Sequence, residues 1–173
     1  MSIELIFPTL NMETQALEYV AEHFANGEKT VHGDGGLDSA SSYSEWIKQV
    51  ENYDKGIVQK GHVPATTYFC CRKSDDKIIG SIDIRHELND FLRKYGGHIG
   101  YSIRPTERRK GYGAQMLALA LEKCRELGLD RVLITCDKTN IASSATVIKN
   151  GGVLEDEIAE ENGNILQRYW ITL

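Results

Sequence analysis

Proline is scarce in this chain, and its cysteines follow no pattern. Only Pro8, Pro64 and Pro105 occur, so between residues 106 and 173 every backbone N–H is available as a donor. Cys70, Cys71, Cys124 and Cys136 form no C-x-x-C pair and have no histidine at zinc-type spacing, so they indicate neither a disulfide framework nor a metal site. They read as reduced core residues. No segment approaches eighteen consecutive apolar residues, and the stretch from Met1 to Pro8 lacks a charged n-region, so neither membrane insertion nor secretion is expected and the cytoplasm is the expected compartment. An excess of positive charge is missing too. The net charge of −5 argues against general nucleic-acid binding and makes the cations between Arg104 and Lys110 a local feature.

What remains is an ordinary globular composition, 41% hydrophobic and 26% charged, and 173 residues are enough for one core. A single domain over 1–173 is expected. Residues 3–7 read as a strand stopped by Pro8. Asn11 is placed to cap a helix with Ala16, Leu17, Val20 and Phe24 on its apolar face, and Ser42-x-x-Glu45 reads as a capping box for a second helix carrying Tyr43, Trp46, Ile47 and Val50. Residues 66–72 and 78–85 are β-rich runs joined by turn residues, hence a hairpin. Residues 97–103 form a glycine-rich strand that Pro105 ends. Leu117, Ala120, Leu121, Cys124 and Leu127 then mark one face of a helix stopped by Gly128. A short buried strand (131–136), a helix (140–150) and two strands (153–158 and 165–172) complete an α/β order with a mixed central sheet.

Between the glycine-rich strand and its helix lies Arg108-Arg109-Lys110-Gly111-Tyr112-Gly113-Ala114. Cations at a helix N-terminus oppose the macrodipole unless an anion joins them, and the glycines let the backbone approach that anion closely. A pyrophosphate suits the site. It is not a P-loop, since Tyr112 follows Gly111 where Lys-Ser/Thr is needed, and not a dinucleotide fingerprint, since Met116 stands where the third glycine belongs. A plain solvated basic turn is the competing reading.

With Tyr101-Ser102-Ile103-Arg104-Pro105 before this loop and Asn140-x-x-Ser143 with Gly151-Gly152 after it, residues 97–155 resemble the acetyl-CoA signature of the GNAT superfamily of N-acetyltransferases. The resemblance implies a GNAT-like central sheet of about six to seven strands flanked by about four helices, with a splayed strand beside the pyrophosphate loop. It implies acetyl-CoA as co-substrate, without a metal. By position, the backbone of Tyr101, Ser102 and Ile103 would hold the pantetheine arm and thioester carbonyl. Arg108, Arg109, Lys110, Gly111, Tyr112, Gly113 and Ala114 would meet the pyrophosphate, and Asn140 the pantetheine amides. Arg104 is either a 3′-phosphate ligand or a solvated strand end.

The expected reaction is direct acetyl transfer to a primary amine, small or peptidic, in a ternary complex. The tyrosine that protonates the leaving thiolate in many relatives is replaced here by Val147, and Ser143, one turn earlier, is the substitute. His98, titrating near neutrality, and Asp83, alternating with Ile82 and Ile84, are the candidate bases. Asp34 and Asp38 in the glycine-rich 32–38 loop are the candidate amine-binding acids. Two alternatives stay open: a catalytically silent CoA-binding or sensing module, supported by Val147, and a protein for another phosphate ligand. Tyr169 and Trp170 are placed for a cleft, the core or a homodimer contact.

Overall fold

Alternating and 3.6-periodic hydrophobic patterns resolve into seven strands and four α-helices in the computed structural model, which describes residues 2–173. β1 (Ile3–Ile6) is followed by α1 (Glu13–Ala25) and α2 (Tyr43–Asp54), then by the β2 (Ala65–Arg72) and β3 (Lys77–Arg85) hairpin and β4 (Ile99–Ile103). α3 (Tyr112–Glu126), β5 (Arg131–Asp137), α4 (Ile141–Lys149), β6 (Val153–Ala159) and β7 (Ile165–Thr172) follow. A π-helical turn, Leu92–Gly96, precedes β4 and has no signal in the sequence pattern.

The expected central sheet is divided in two. β1-β2-β3-β4 form one antiparallel sheet and β5-β7-β6 another. The break lies between β4 and β5, and its cause is local. Gly97 turns the chain at φ +67, and a Cβ there would lie 2.6 Å from the Leu133 carbonyl oxygen, so the two backbones approach closely at this point. The His98 N–H donates to that oxygen at 2.7 Å. The Leu133 N–H then donates to His98 Nδ1 at 2.9 Å, a side chain standing where the next backbone acceptor of a ladder would be. The strands part beyond this clasp.

Two apolar clusters cover the faces of the first sheet. Ile82, Ile84 and Ile99 pack with Met116, Leu117 and Leu121 of α3, together with Val147 and Tyr169. On the other face Phe69 meets Tyr19, Trp46 and Val50 of α1 and α2. Ser42 caps α2 as expected, its side chain accepting from the Glu45 N–H at 3.2 Å. The expected face of α3 is buried except Leu127, which sits at the C-cap before the left-handed Gly128.

α1 departs from the reading of its pattern in two respects. Asn11 lies in a 3-10 turn, its side chain bonded by Thr9, and Met12 occupies the N-cap. The buried face is Ala16, Tyr19, Val20 and His23, while Leu17 and Phe24 are exposed. The polar residues go inward because partners await them there. Tyr19 Oη lies 2.6 Å from Ser102 Oγ and 3.0 Å from Ser81 Oγ, and His23 Nδ1 lies 2.6 Å from Glu28. All four cysteines are buried and free. Tyr169 belongs to the core, and Trp170 stacks under the Arg131 guanidinium at 4.1 Å.

Candidate active site

The loop before α3 has the backbone of an anion cradle. Arg109 adopts φ +60 and Gly111 φ +83, two left-handed residues that turn the chain so that successive amides point outward. Gly111, Gly113 and Ala114 N–H groups find no acceptor among the described residues, and the first closing bond of the helix is Gln115 N–H to the Gly111 carbonyl. A Cβ on Gly113 would sit 3.4 Å from Thr146 Oγ1, so α4 packs close to this end of α3.

The three cations do not act alike. Arg108 donates to the Ile103 carbonyl at 3.0 Å and pairs with Glu28 at 2.7 Å; Lys110 pairs with Glu107 at 2.9 Å. Arg109 is exposed and has no partner among the described residues. Glu107 is itself buried and gathers Arg72 at 3.0 Å and Lys77 at 3.1 Å besides Lys110. Burial opposes its ionisation, but the bonds from Lys110 and Lys77 and the Arg72 charge outweigh that and hold its carboxyl below the usual range. Tyr112 is 1% exposed and belongs to the core.

Arg104 is neither a solvated strand end nor a free cation for a distant phosphate. It is buried, donating to the Ile78 carbonyl at 2.7 Å and to Glu22 at 3.0 Å, with the Tyr19 ring beneath it.

β4, which leads into the cradle, forms no ladder with β5 and so leaves a gap on that side. From β4 the Tyr101 hydroxyl lies 3.0 Å from Ser143 Oγ in the first turn of α4. Asn140 caps that turn, its side-chain oxygen accepting from the Ser143 N–H at 3.1 Å. Val147 is fully buried one turn further along. Ser102 is tied off by its bonds to Tyr19 and to the His32 carbonyl at 2.7 Å. His98 stands at the vertex, 5% exposed. Burial and the Arg85 and Arg93 charges push its pKa down to about 4. Because Nδ1 accepts from Leu133, the proton of the neutral ring resides on Nε2, and no lone pair is left to take another.

On the opposite face of the first sheet, a cleft of about 540 Å³ is lined by the 31–36 loop, α2, the ends of β2 and β3, and Phe91 and Leu92. Asp83 and Arg85 lie on its wall. Asp83 accepts from Thr67 Oγ1 at 2.9 Å, and its other oxygen is 3.5 Å from Arg85 Nε. Burial raises its pKa against the opposing effects of Arg85 and Thr67. Asp34 reaches the cleft but spends both oxygens on the loop, accepting from the Gly36 N–H at 2.8 Å and the Asp38 N–H at 2.7 Å. Its burial, against those bonds and with the Asp38 and Asp83 charges, raises its pKa to about 6. Asp38 accepts from the Val31 N–H at 2.8 Å and does not line the cleft. Asp34 therefore builds the loop with both of its oxygens, and Asp38 with one of its two.

The model of the acetyltransferase (GNAT) domain matches residues 11–153. The chain belongs to the GNAT acetyltransferase family. No curated protein matches its sequence. Solved structures share the fold of this GNAT domain at low identity. The microcin C7 self-immunity acetyltransferase MccE, in complex with acetyl-CoA and AMP, has a TM-score of 0.69 and 20% identity, covering 99% of this chain and 92% of the other. The Salmonella typhimurium enzyme that modifies the N-terminal serine of ribosomal protein L7/L12 has a TM-score of 0.69 and 19% identity over 100% and 96%. RimL with coenzyme A, disulfide-linked to one of its own cysteines, has a TM-score of 0.69 and 21% identity over 100% and 95%.

Two site features of the GNAT domain were missed in its sequence. Arg85 follows Asp83 by two and so shares its face, a signal that alternation carries. Glu107, which neutralises Lys110, gives no such sign, because its burial depends on Arg72 and Lys77 from the hairpin.

Proposed function

We propose that this GNAT domain, with residues 1–173 acting as one cytoplasmic unit, transfers the acetyl group of acetyl-CoA directly to a primary amine carried by a small molecule or a peptide. The observation that carries the reading is the set of unpaired amides at the start of α3, next in the chain to β4 where it forms no ladder with β5. The chemistry of the cradle fits a diphosphate: backbone donors, a left-handed turn, a helix N-terminus and the unpaired Arg109. Gly111, Gly113 and Ala114 amides would hold the diphosphate, with Arg108 and Lys110 adding field from their ion pairs. Tyr101, Ser102 and Ile103 would present β4 backbone to the pantetheine arm and thioester carbonyl, and the Asn140 amide nitrogen would face the same arm. Bound acetyl-CoA supplies an activated acyl group and a thiolate leaving group.

The amine would enter from the cleft on the other side of the sheet, where Asp83 receives the proton released as nitrogen attacks. Asp83 is favoured over His98 because His98 Nδ1 is already engaged. Asp34 and Asp38 shape the acceptor loop. Ser143 stands beside the departing sulfur. MccE with acetyl-CoA and RimL with coenzyme A support the choice of co-substrate.

Thermal unfolding with acetyl-CoA tests the binding step. The midpoint should rise with ligand, and Arg109→Glu should weaken the response by about tenfold or more in Kd, since it replaces an unpaired cation by an anion. No rise at millimolar acetyl-CoA would end the proposal. Thiol release against a panel of amines and peptides tests turnover. A silent CoA-binding module, which Val147 favours, predicts binding without release.

A further inference from the structure

Val147 leaves the GNAT domain without a tyrosine on α4, yet a phenol does stand in the gap. Tyr101 comes from the other wall. Its neighbours on the same face of β4 are Ile99 and Ile103, both packed with the apolar core, and its hydroxyl lies 3.0 Å from Ser143 Oγ and 3.4 Å from the Ser143 carbonyl oxygen. A phenylalanine would satisfy the packing at position 101 equally well. The hydroxyl asks for another explanation.

We propose that Tyr101 is the acid of the acetyl transfer, giving its phenolic proton to the sulfur of coenzyme A, and that Ser143 returns a proton to it from solvent. This rests on the reading that acetyl-CoA occupies the gap between β4 and β5. The steps balance. As the C–S bond breaks, its electron pair passes to sulfur and the sulfur takes the Tyr101 proton; Ser143 then hands its proton to the phenolate and regains one from water. Ser143 is half-buried at the helix start and suits a conduit. Acidity favours this division of roles, since a phenol near pKa 10 lies close to a thiol near 8.5, whereas an aliphatic hydroxyl is a far weaker acid. Burial raises the Tyr101 pKa, against the bond to Ser143, so the proton is in place at neutral pH. Tyr101 is thus the proton donor and Ser143 the relay that resupplies it.

The test is Tyr101→Phe beside Ser143→Ala, with two readouts. The first needs no acceptor amine. Coenzyme A is bound to each protein and its thiol titrated by thiolate absorbance; calorimetry confirms occupancy. Tyr101→Phe should raise the pKa of the bound thiol by about one unit, the effect of removing a hydrogen bond to the charged form. The second is turnover: Tyr101→Phe should lower kcat by about 10²-fold with the KM for acetyl-CoA unchanged, and Ser143→Ala should cost less. A Tyr101→Phe protein with wild-type kcat overturns the proposal. So does a loss of kcat with the thiol titration unmoved, which would make Tyr101 a latch between β4 and α4. If wild-type protein binds no coenzyme A, the occupancy reading itself has failed and this proposal fails with it.

Discussion

The 31–36 loop rides directly on β4, and one glycine permits it. Gly33 has φ +77, and a Cβ there would lie 2.4 Å from the Gly100 carbonyl oxygen and 2.6 Å from Tyr101 Cα. Both obstacles are backbone, so neither can rotate away. Replacing Gly33 by alanine therefore adds a steric penalty to the left-handed one. The left-handed penalty alone is about 1–2 kcal/mol, partly offset by about 0.4–1 kcal/mol from the stiffer unfolded chain. Forcing a methyl into packed backbone adds about 1–3 kcal/mol. Gly27→Ala provides the control, because Gly27 has φ +87 and nothing within 4 Å of its Cβ position. Gly33→Ala should therefore lose about 1–3 kcal/mol more than Gly27→Ala. Urea unfolding reads the difference, followed by circular dichroism and by Trp46 fluorescence. Trp46 reports on the loop directly, since its indole N–H donates to the Asp34 carbonyl at 3.0 Å. If the two variants have the same unfolding free energy, the loop yields at no cost and the idea that it is seated on β4 is wrong.

Two buried groups give opposite slopes of stability with pH. Asp34, with its pKa raised from 3.8 to about 6, holds its proton longer folded than unfolded, so it lowers stability as pH rises from about 4 to 6, by up to about 3 kcal/mol. Asp34→Asn should remove that decline, measured as urea midpoints across this window, and an unchanged slope would refute the assignment. His98, with its pKa lowered from 6.5 to about 4, binds its proton more readily unfolded, so its contribution falls as pH drops through that range. His98→Ala should flatten this acid-side loss and, by orphaning the Leu133 N–H, lower stability near neutrality by about 1–3 kcal/mol. The acidic limb of turnover should survive in His98→Ala; its disappearance would return the base role to the imidazole. Glu107→Gln leaves Lys77 and Lys110 without their shared anion and Arg72 with Asp75 alone, and should destabilise by about 1.5–3 kcal/mol in thermal or urea unfolding, with no measurable loss counting against the clamp.

The parts of this site legible in the sequence are those whose physics is local. Glycine at 111 and 113, three adjacent cations and the absence of proline define the cradle before α3 from a few consecutive residues. The α2 cap and its buried face are equally self-contained. What each cation does is decided from afar: Glu28 takes Arg108, Glu107 takes Lys110 and Glu22 takes Arg104, leaving Arg109. The division of the sheet was illegible for a related reason. It turns on a His98 ring nitrogen intercepting an amide 35 residues away, and no periodicity records that bond.

Polar residues that interrupt an apolar face are the hardest part of the sequence to weigh. Tyr19 and His23 displaced Leu17 and Phe24 from the core of α1 because Ser81, Ser102 and Glu28 were waiting for them, partners that only the fold supplies. Tyr101 interrupts Ile99 and Ile103 in the same way, but its partner sits at the mouth of a gap and not inside a packed layer. Burial of Tyr19 explains its hydroxyl completely, through bonds that join α1 to β3 and β4. The bond from Tyr101 joins β4 to α4 beside the break between β4 and β5, so on the proposed reading its hydroxyl serves the coenzyme as well as the fold.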